Sequence, residues 1–326
     1  MRILATDDDP IILELVSQFL ITVGQHDVVT AKSASEALDL LSKNDPAYIE
    51  CFLNDIQMPQ MDGIELARQI RKLPNHATSP IIMLTAMSEK RYIDDAFAAG
   101  ASDYITKPFD MIEFKTRISM AEQLVLSRKT VTAKLFAPSA LKIAVGKDDA
   151  VDLHAPVELN DIDNVIACSA MENYVAQLSR SSLFGSTVFA FTLRKPETYC
   201  EALSPAEFKF LLEDVAECIS DCLADHQFLM TYAGNGTYLC ITESGWRPEM
   251  SKLMAAVNLH LNQMKIVSNT SAELYPRVSA GNAIRLVWKS NDQVLSALGK
   301  AQTSAEHAAA EFERLKSDFF HTGRLA

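Results

Sequence analysis

The segment ILATDDDP, residues 3–10, decides the fold of the first third of this chain. Ile3 to Thr6 have the composition of a buried strand, and three acids follow them without a break. Pro10 then opens an amphipathic helix, because the first helical turn needs no N–H at that position, and Gly24 closes it. A buried strand that leads directly into a helix is the repeating unit of a parallel α/β sheet.

The same alternation continues along the chain. Four more apolar segments, each followed by an amphipathic stretch, are DVVTA (27–31), CFLND (51–55), IIMLTA (81–86) and DYIT (103–106). Five short strands separated by helices predict a parallel sheet covered by helices on both faces.

The composition of the whole chain excludes several classes of protein. Its 326 residues are 48% hydrophobic and 22% charged, which indicates a folded chain of about two domains. The net charge of −12 argues against a DNA-binding protein, which needs a basic face. No apolar run approaches the roughly 20 residues of a membrane helix, so we expect a soluble, cytoplasmic protein with no membrane contact. Six cysteines spread over this length are expected to be reduced thiols.

Charged and hydroxyl side chains follow the predicted strands of the first sheet. Asp7 and Asp8 follow the first strand, Asp55 ends the third, and Thr85 and Lys107 come at the ends of the fourth and fifth. The carboxyl ends of parallel strands meet at one edge of a sheet, where ligands bind. Close carboxylates repel one another, and a divalent cation such as Mg²⁺ relieves that repulsion. The positive charge of the lysine suits a phosphoryl oxygen.

Four motifs resemble the receiver domain of bacterial two-component response regulators. They are TDDDP (6–10), NDIQMPQMDG (54–63), LTA (84–86) and DYITKPFD (103–110), in the order and spacing typical of that family. The resemblance implies a flavodoxin-like fold with strand order 2-1-3-4-5. It also implies that Asp55 is the nucleophile that accepts a phosphoryl group from a sensor histidine kinase or a phosphotransfer protein.

The resemblance further assigns the ligands of a Mg²⁺ cofactor. Asp8 and Asp55 would bind the ion directly, together with the main-chain carbonyl of Gln57. Asp7 would act mainly through a water molecule on the metal.

The other site residues are assigned by the same resemblance. Thr85 would donate a hydrogen bond to the phosphoryl oxygen, and Lys107 would pair with that oxygen. The Lys107-Pro108 peptide bond would be cis. Tyr104 would swing inward as the threonine moves, which makes these two residues the predicted switch. An ordinary half-buried strand aromatic remains the alternative for the tyrosine.

The chain divides into three predicted parts. We expect a receiver domain over 1–124, a partly helical linker over 125–182, and an output domain with a long C-terminal helix over 183–326. The linker contains the breakers Pro138, Gly146 and Pro156. The third part reads strand–helix–strand–strand–helix–strand–helix, which predicts a ferredoxin-like α+β domain.

This third part resembles, more weakly, the GGDEF domain of diguanylate cyclases. The segment YAGNGTYLCI (232–241) stands where the signature hairpin would lie. Its Gly234, Asn235, Gly236, Thr237 and Tyr238 replace Gly-Gly-Asp-Glu-Phe. The signature is therefore degenerate.

The departures from the GGDEF pattern argue against catalysis. A cyclase needs acids in the hairpin and on the first strand to hold two metal ions. Here the hairpin offers Gly236 and Thr237, and the strand offers Thr192 and Arg194. We therefore expect no cyclase activity, and an output that binds an unknown downstream protein or forms a homodimer. The alternative is an active diguanylate or related nucleotide cyclase under receiver control.

Two cysteines on one predicted helix, Cys218 and Cys222, are four residues apart and could share a metal ion. No histidine is spaced to join them on that helix, so two small hydrophobic residues on a core face are the favoured interpretation.

Overall fold

A computed structural model describes residues 1–42, 48–86, 90–135, 152–159, 162–177, 185–243, 245–264, 266, 273–286 and 291–322. The chain forms two compact units, residues 1–148 and residues 149–326. Across the described part of the chain, no helix combines the length and the apolar character that crossing a membrane requires.

The first unit contains a five-stranded sheet. The strands are β1 (Arg2–Thr6), β2 (Asp27–Ala31), β3 (Cys51–Asp55), β4 (Ile81–Thr85) and β5 (Asp103–Thr106). All neighbours pair in parallel, in the order β2-β1-β3-β4-β5, so the predicted strand order is confirmed. The helices are α1 (Pro10–Gly24), α2 (Ala34–Ser42), α3 (Gly63–Arg71), α4 (Lys90–Ala98) and α5 (Met111–Leu135).

The ends of α1 follow from the local sequence. The side chain of Asp9 accepts a hydrogen bond from the amide of Ile11, and Pro10 occupies the first turn. At the other end the left-handed backbone falls on Gln25, with φ of 50°, rather than on the preceding Gly24. The helix therefore begins at the predicted Pro10 and ends at the predicted Gly24, and the left-handed residue that terminates it is Gln25.

The second unit contains an antiparallel sheet. Its strands are β6 (Thr187–Leu193), β7 (Phe228–Tyr232), β8 (Thr237–Thr242), β9 (Val278–Ala280) and β10 (Ile284–Arg285). The order is β10-β6-β8-β7, and β9 also pairs with β6. The described helices are α6 (Cys168–Gln177), α7 (Pro196–Ala202), α8 (Pro205–Leu223), α9 (Met250–Met264) and α10 (Asn291–Thr322).

Two predicted local features of this unit are present. Strands β7 and β8 form the expected hairpin, paired from Phe228–Thr242 to Tyr232–Tyr238. Ser204 and Glu207 form a reciprocal capping box at the start of α8. Both features rest on short-range contacts, which is why the sequence alone indicated them.

Part of the interval predicted as a linker packs into the second unit. Leu159 is buried in the core of that unit. The amide of Ile166 donates to the carbonyl of Met230 at 2.8 Å, and the amide of Met230 donates to Asn164 at 2.8 Å. Leu159 and Ile166, which follow Pro156, are therefore buried although they lie in no helix or strand. Residues 136–151, 160–161 and 178–184 of the predicted linker lie outside the described residues.

Candidate functional site

Three carboxylates meet at the carboxyl edge of the parallel sheet. Asp7 follows β1, Asp8 comes next, and Asp55 ends β3. Each offers an oxygen, and these oxygens all lie within 4.8 Å of one another. The side chains of Asp7 and Asp55 are almost fully buried, whereas Asp8 is exposed. The structure therefore brings together the three acids that the sequence places at the ends of two strands, β1 and β3.

The ammonium group of Lys107 links two of these acids. Its Nζ donates to Asp7 Oδ2 at 2.7 Å and to Asp55 Oδ1 at 2.6 Å. The main chain holds the lysine in place, since its amide donates to the carbonyl of Thr85 at 2.7 Å. The Lys107-Pro108 peptide bond is cis, as the resemblance implies.

Burial and charge act against each other on the acceptor carboxylate. Burial raises the pKa of Asp55, the charges of Asp7 and Asp8 raise it further, and the ammonium of Lys107 opposes both. Burial would lower the pKa of Lys107, but its hydrogen bonds to Asp55 and Asp7 outweigh that effect and the pKa is raised. The lysine therefore stays charged beside a carboxylate that is costly to ionise.

The donor set fits a hard divalent cation. Three ionised carboxylates and one ammonium leave a net charge of −2 at full ionisation, which Mg²⁺ would neutralise. The exposed Gln57 lies two residues beyond Asp55 in the loop that follows β3, and its carbonyl stays a predicted ligand. Receiver domains typically use Mg²⁺ at such an acidic pocket.

A glycine that the sequence reasoning did not single out shapes the backbone of this site. A Cβ atom on Gly63 would lie 2.0 Å from the carbonyl oxygen of Asp55. The amide of Gly63 donates to Ile56 at 3.0 Å, and the amide of Ile56 donates to Leu84 at 2.9 Å. The first residue of α3 therefore packs directly against the peptide group of Asp55. The signal was available in the DG pair that opens the helix.

The predicted switch residues are both buried. Thr85 ends β4 and is fully buried. Tyr104 is 8% exposed, and its ring stands perpendicular to that of Phe97 with centroids 6.3 Å apart. Burial raises the pKa of Tyr104 to about 12. The ring is thus packed inward in this structure, and its movement stays a prediction.

Buried polar atoms adjoin the site on β3. Asn54 is fully buried immediately before the acceptor, and it pairs in register with Thr6 on β1. The side-chain oxygen and nitrogen of Asn54, and the hydroxyl of Thr6, have no hydrogen-bond partner among the residues that the structure describes. Such groups cost stability in a protein interior.

The hairpin between β7 and β8 contains residues 234–238, which were compared above with the GGDEF signature. Gly234, Asn235 and Gly236 all have positive φ, at 90°, 53° and 69°. Thr237 Oγ1 shares a buried hydrogen bond of 2.9 Å with Thr192 Oγ1 on β6. Two buried hydroxyl groups thus pair with each other across β6 and β8.

The neighbouring cation on this sheet is held by other groups. Arg194 follows β6, and its Nε donates to Ser279 Oγ at 2.9 Å. Its guanidinium also lies 3.5 Å from the ring centroid of Phe312 on α10. The guanidinium of Arg194 therefore adds positive charge beside the hairpin.

A segment preceding α6 covers the tip of the hairpin. The amide of Asn235 donates to the carbonyl of Leu153 at 2.6 Å, and His154 Nδ1 lies 2.6 Å from Asn235 Oδ1. A Cβ atom on Gly234 would lie 2.6 Å from the carbonyl oxygen of His154. The main chain at 153–154 therefore lies directly against Gly234 and Asn235 at the tip of the hairpin.

Comparison with known proteins agrees with the geometry of the first unit. Residues 3–119 match the family described as response regulator receiver domain. The chain is 35% identical over 109 residues to a chemotaxis protein CheY homolog of Campylobacter jejuni, covering 33% of this chain and 82% of that protein. The chain belongs to the response regulator receiver family, and its first unit is the receiver domain of a two-component system.

Two further similarities extend this comparison. The transcriptional regulatory protein SrrA of Staphylococcus aureus is 32% identical over 166 residues, which cover 51% of this chain and 62% of SrrA. The crystallised chemotaxis protein CheY4 of Vibrio cholerae is 29% identical, covers 37% of this chain and 97% of its own, and superposes with a TM-score of 0.35.

Proposed function

We propose that this protein is a response regulator whose receiver unit accepts a phosphoryl group on Asp55, and whose second unit transmits the signal without catalysis. One observation carries the first half of this proposal. The carboxylate of Asp55 lies 2.6 Å from the ammonium of Lys107 and within 4.8 Å of two further acids. A buried nucleophile, a cation and an acidic cluster in one pocket are suited to phosphoryl transfer.

The residues of the chain divide the chemistry among themselves. An oxygen of Asp55 attacks the phosphorus, and the donor, a histidine of a sensor kinase or phosphotransfer protein, leaves with the bonding electron pair. Lys107 already touches the acceptor oxygen, and its charge would pair with a phosphoryl oxygen once the group is attached. The hydroxyl of Thr85 would donate a hydrogen bond to the same phosphoryl group. Asp8, Asp55 and the main-chain carbonyl of Gln57 would hold Mg²⁺, with Asp7 acting mainly through a metal-bound water, and the ion would offset the charge on the phosphoryl oxygens.

The test of phosphoryl transfer uses the full chain with acetyl phosphate and Mg²⁺. Intact mass spectrometry should show one added phosphoryl group in the wild type and none in Asp55→Asn, which keeps the shape of the side chain. Asp39→Asn, an exposed aspartate on α2, is the matched control and should behave like the wild type. A phosphoryl group on Asp55→Asn at the wild-type level would refute the assignment.

The proposal of a non-catalytic second unit rests on the hairpin. Thr237 is bonded to Thr192, Arg194 contributes positive charge, and the main chain at 153–154 covers the tip. Metal-bound triphosphate needs acids and open space in that position. Activated full-length protein incubated with GTP and Mg²⁺ or Mn²⁺ should yield no cyclic di-GMP. Any product above that of a heat-denatured sample would favour the nucleotide-cyclase alternative.

The output would act by binding an unidentified downstream protein or a second copy of the chain. Beryllofluoride with Mg²⁺ mimics the phosphorylated state, so it should change capture of a partner, or the mass in sedimentation, in the wild type. Asp55→Ala should not respond. An equal response of the wild type and Asp55→Ala would contradict signalling through this site.

A further inference from the structure

Two arginines stand opposite each other where β6 ends and β9 begins. The antiparallel register of these two strands pairs Leu193 with Val278. One residue further, the amide of Arg194 donates to the carbonyl of Arg277 at 2.8 Å, so the two arginines form the next pair. Residues that pair across antiparallel strands project from the same face of the sheet, with Cβ atoms about 5 Å apart. Two positively charged side chains therefore leave the sheet side by side.

This arrangement of like charges is unfavourable for the protein alone. Equal charges in directly opposite positions destabilise an antiparallel pair of strands. Arg194 is half-buried, and burial lowers the pKa of its guanidinium; the charge of Glu313 opposes this effect, and the charge of Arg277 adds to it. An anion bound between the two arginines would relieve their repulsion.

The guanidinium of Arg194 is held in a fixed orientation that leaves most of its donors unused. Its Nε donates to the hydroxyl of the buried Ser279 at 2.9 Å, and its Cζ lies 3.5 Å from the ring centroid of Phe312. In the part of the chain that the structure describes, Nη1 and Nη2 of Arg194 have no hydrogen-bond partner, and neither has the side chain of Arg277. One oriented guanidinium and a second one beside it can therefore bind a ligand.

The other charged groups beside the pair neutralise each other. Lys195 follows Arg194 directly, and its Nζ lies 2.8 Å from Glu313 Oε2 on α10. The carboxylate that acts on Arg194 is thus already paired with a lysine. These three cations and one carboxylate carry a net charge of +2.

We propose that Arg194 and Arg277 bind a phosphate group, as the free ion or as a phosphate ester, at the end of β6. A guanidinium is planar and donates two parallel hydrogen bonds to phosphate oxygens, which a lysine ammonium cannot do. A phosphate ester carries a charge of about −1.5 to −2 at pH 7, which balances the site without a metal ion. The inference goes beyond the signalling function proposed above and does not depend on phosphorylation of Asp55. It makes the second unit a receptor for a phosphate-bearing ligand.

Isothermal titration calorimetry of the full chain tests this site, with EDTA present to remove metal ions. Inorganic phosphate and phenyl phosphate are titrated separately at constant ionic strength. Arg277→Gln should bind at least about tenfold more weakly than the wild type, because charge-assisted hydrogen bonds are lost. Arg277→Lys keeps the charge without the paired donors and should fall between the two. Tighter binding of phenyl phosphate would assign the site to an ester, and tighter binding of inorganic phosphate to the free ion.

Two control variants separate this site from other effects. Arg285→Gln removes an exposed arginine of β10 in the same sheet and should bind phosphate like the wild type. Asp55→Asn removes the proposed phosphoacceptor and should also leave phosphate binding unchanged. The outcome for this site is therefore independent of the outcome for the receiver.

Urea unfolding gives a second readout. Arg277 is exposed, so its replacement leaves the core intact. Without phosphate, Arg277→Gln should unfold at no lower urea concentration than the wild type, because the like-charge pair is gone. Added phosphate should raise the midpoint of the wild type and leave that of Arg277→Gln unchanged.

Three outcomes would overturn the proposal. The first is the absence of binding by the wild type at millimolar phosphate. The second is equal phosphate affinity in Arg277→Gln and the wild type. The third is an equal loss of affinity in Arg285→Gln, which would show that overall charge, and not the pair of arginines, governs the binding.

Discussion

Replacing Lys107 by methionine should strengthen binding of Mg²⁺ and should lower the free energy of unfolding of the receiver in the absence of the ion. The ammonium of Lys107 contacts Asp7 Oδ2 and Asp55 Oδ1, and both residues belong to the carboxylate group that could hold a metal ion. Methionine keeps the length of the side chain and removes the charge. The carboxylates then lose their internal counter-ion, and the pKa of Asp55, already raised by burial, rises further.

The magnitude follows from the burial of the pair. Removing one partner of a buried ion pair costs about 3–5 kcal/mol, and the side chain of Lys107 is 18% exposed, so we expect a loss of about 2 kcal/mol without metal. In Lys107→Met, no ammonium repels Mg²⁺ or competes with it for the carboxylates. We therefore expect roughly tenfold tighter binding, which corresponds to about 1.4 kcal/mol.

Isothermal titration calorimetry measures the affinity for Mg²⁺, and thermal unfolding in EDTA and in Mg²⁺ measures the stability. Lys72→Met is the matched control, because that exposed lysine caps the far end of α3. The deficit of Lys107→Met in EDTA should shrink in saturating Mg²⁺. Unchanged or weaker Mg²⁺ affinity in Lys107→Met would refute the competition between the lysine and the ion.

Three further predictions concern the receiver unit. Burial raises the pKa of Asp103 from 3.8 to about 6, against the attraction of Arg117. The stability that the protonated carboxyl contributes is therefore fully present below pH 3.8 and lost as the pH rises through 6. Asp103→Asn should therefore be more stable than the wild type by about 2 kcal/mol in urea unfolding at pH 8, with the gain vanishing towards pH 4; a gain independent of pH would contradict this. Gly63→Ala should destabilise by more than about 2 kcal/mol and slow phosphorylation, because its Cβ would meet Asp55 O at 2.0 Å, and wild-type rates would refute the contact. Asn54→Leu should raise the free energy of unfolding by about 1–2 kcal/mol, since it removes two buried polar atoms without described partners, and a loss of stability would show that they are satisfied.

The negative charge of the chain now has a local meaning. Excess acid argued against DNA binding, but three of the acids meet in the pocket of Asp7, Asp8 and Asp55, which suits a hard ion with oxygen ligands.

The sequence by itself determined the receiver fold and the membership of its acidic site. Strands, helix caps and turns depend on neighbours a few residues away, so Pro10, the capping box at Ser204 and the hairpin at 234–236 could be recognised directly. Because every strand of a parallel sheet ends at the same edge, the position of Asp55 near Asp7 also followed from the strand order.

Only the tertiary structure decided which distant groups touch. Thr192 is 45 residues from Thr237, yet their hydroxyl groups pair at 2.9 Å. Leu153, in the interval predicted as a linker, lies on the hairpin tip at Asn235. Such contacts depend on how whole helices and segments pack to bury their apolar surface, a sum over many side chains that no local pattern records.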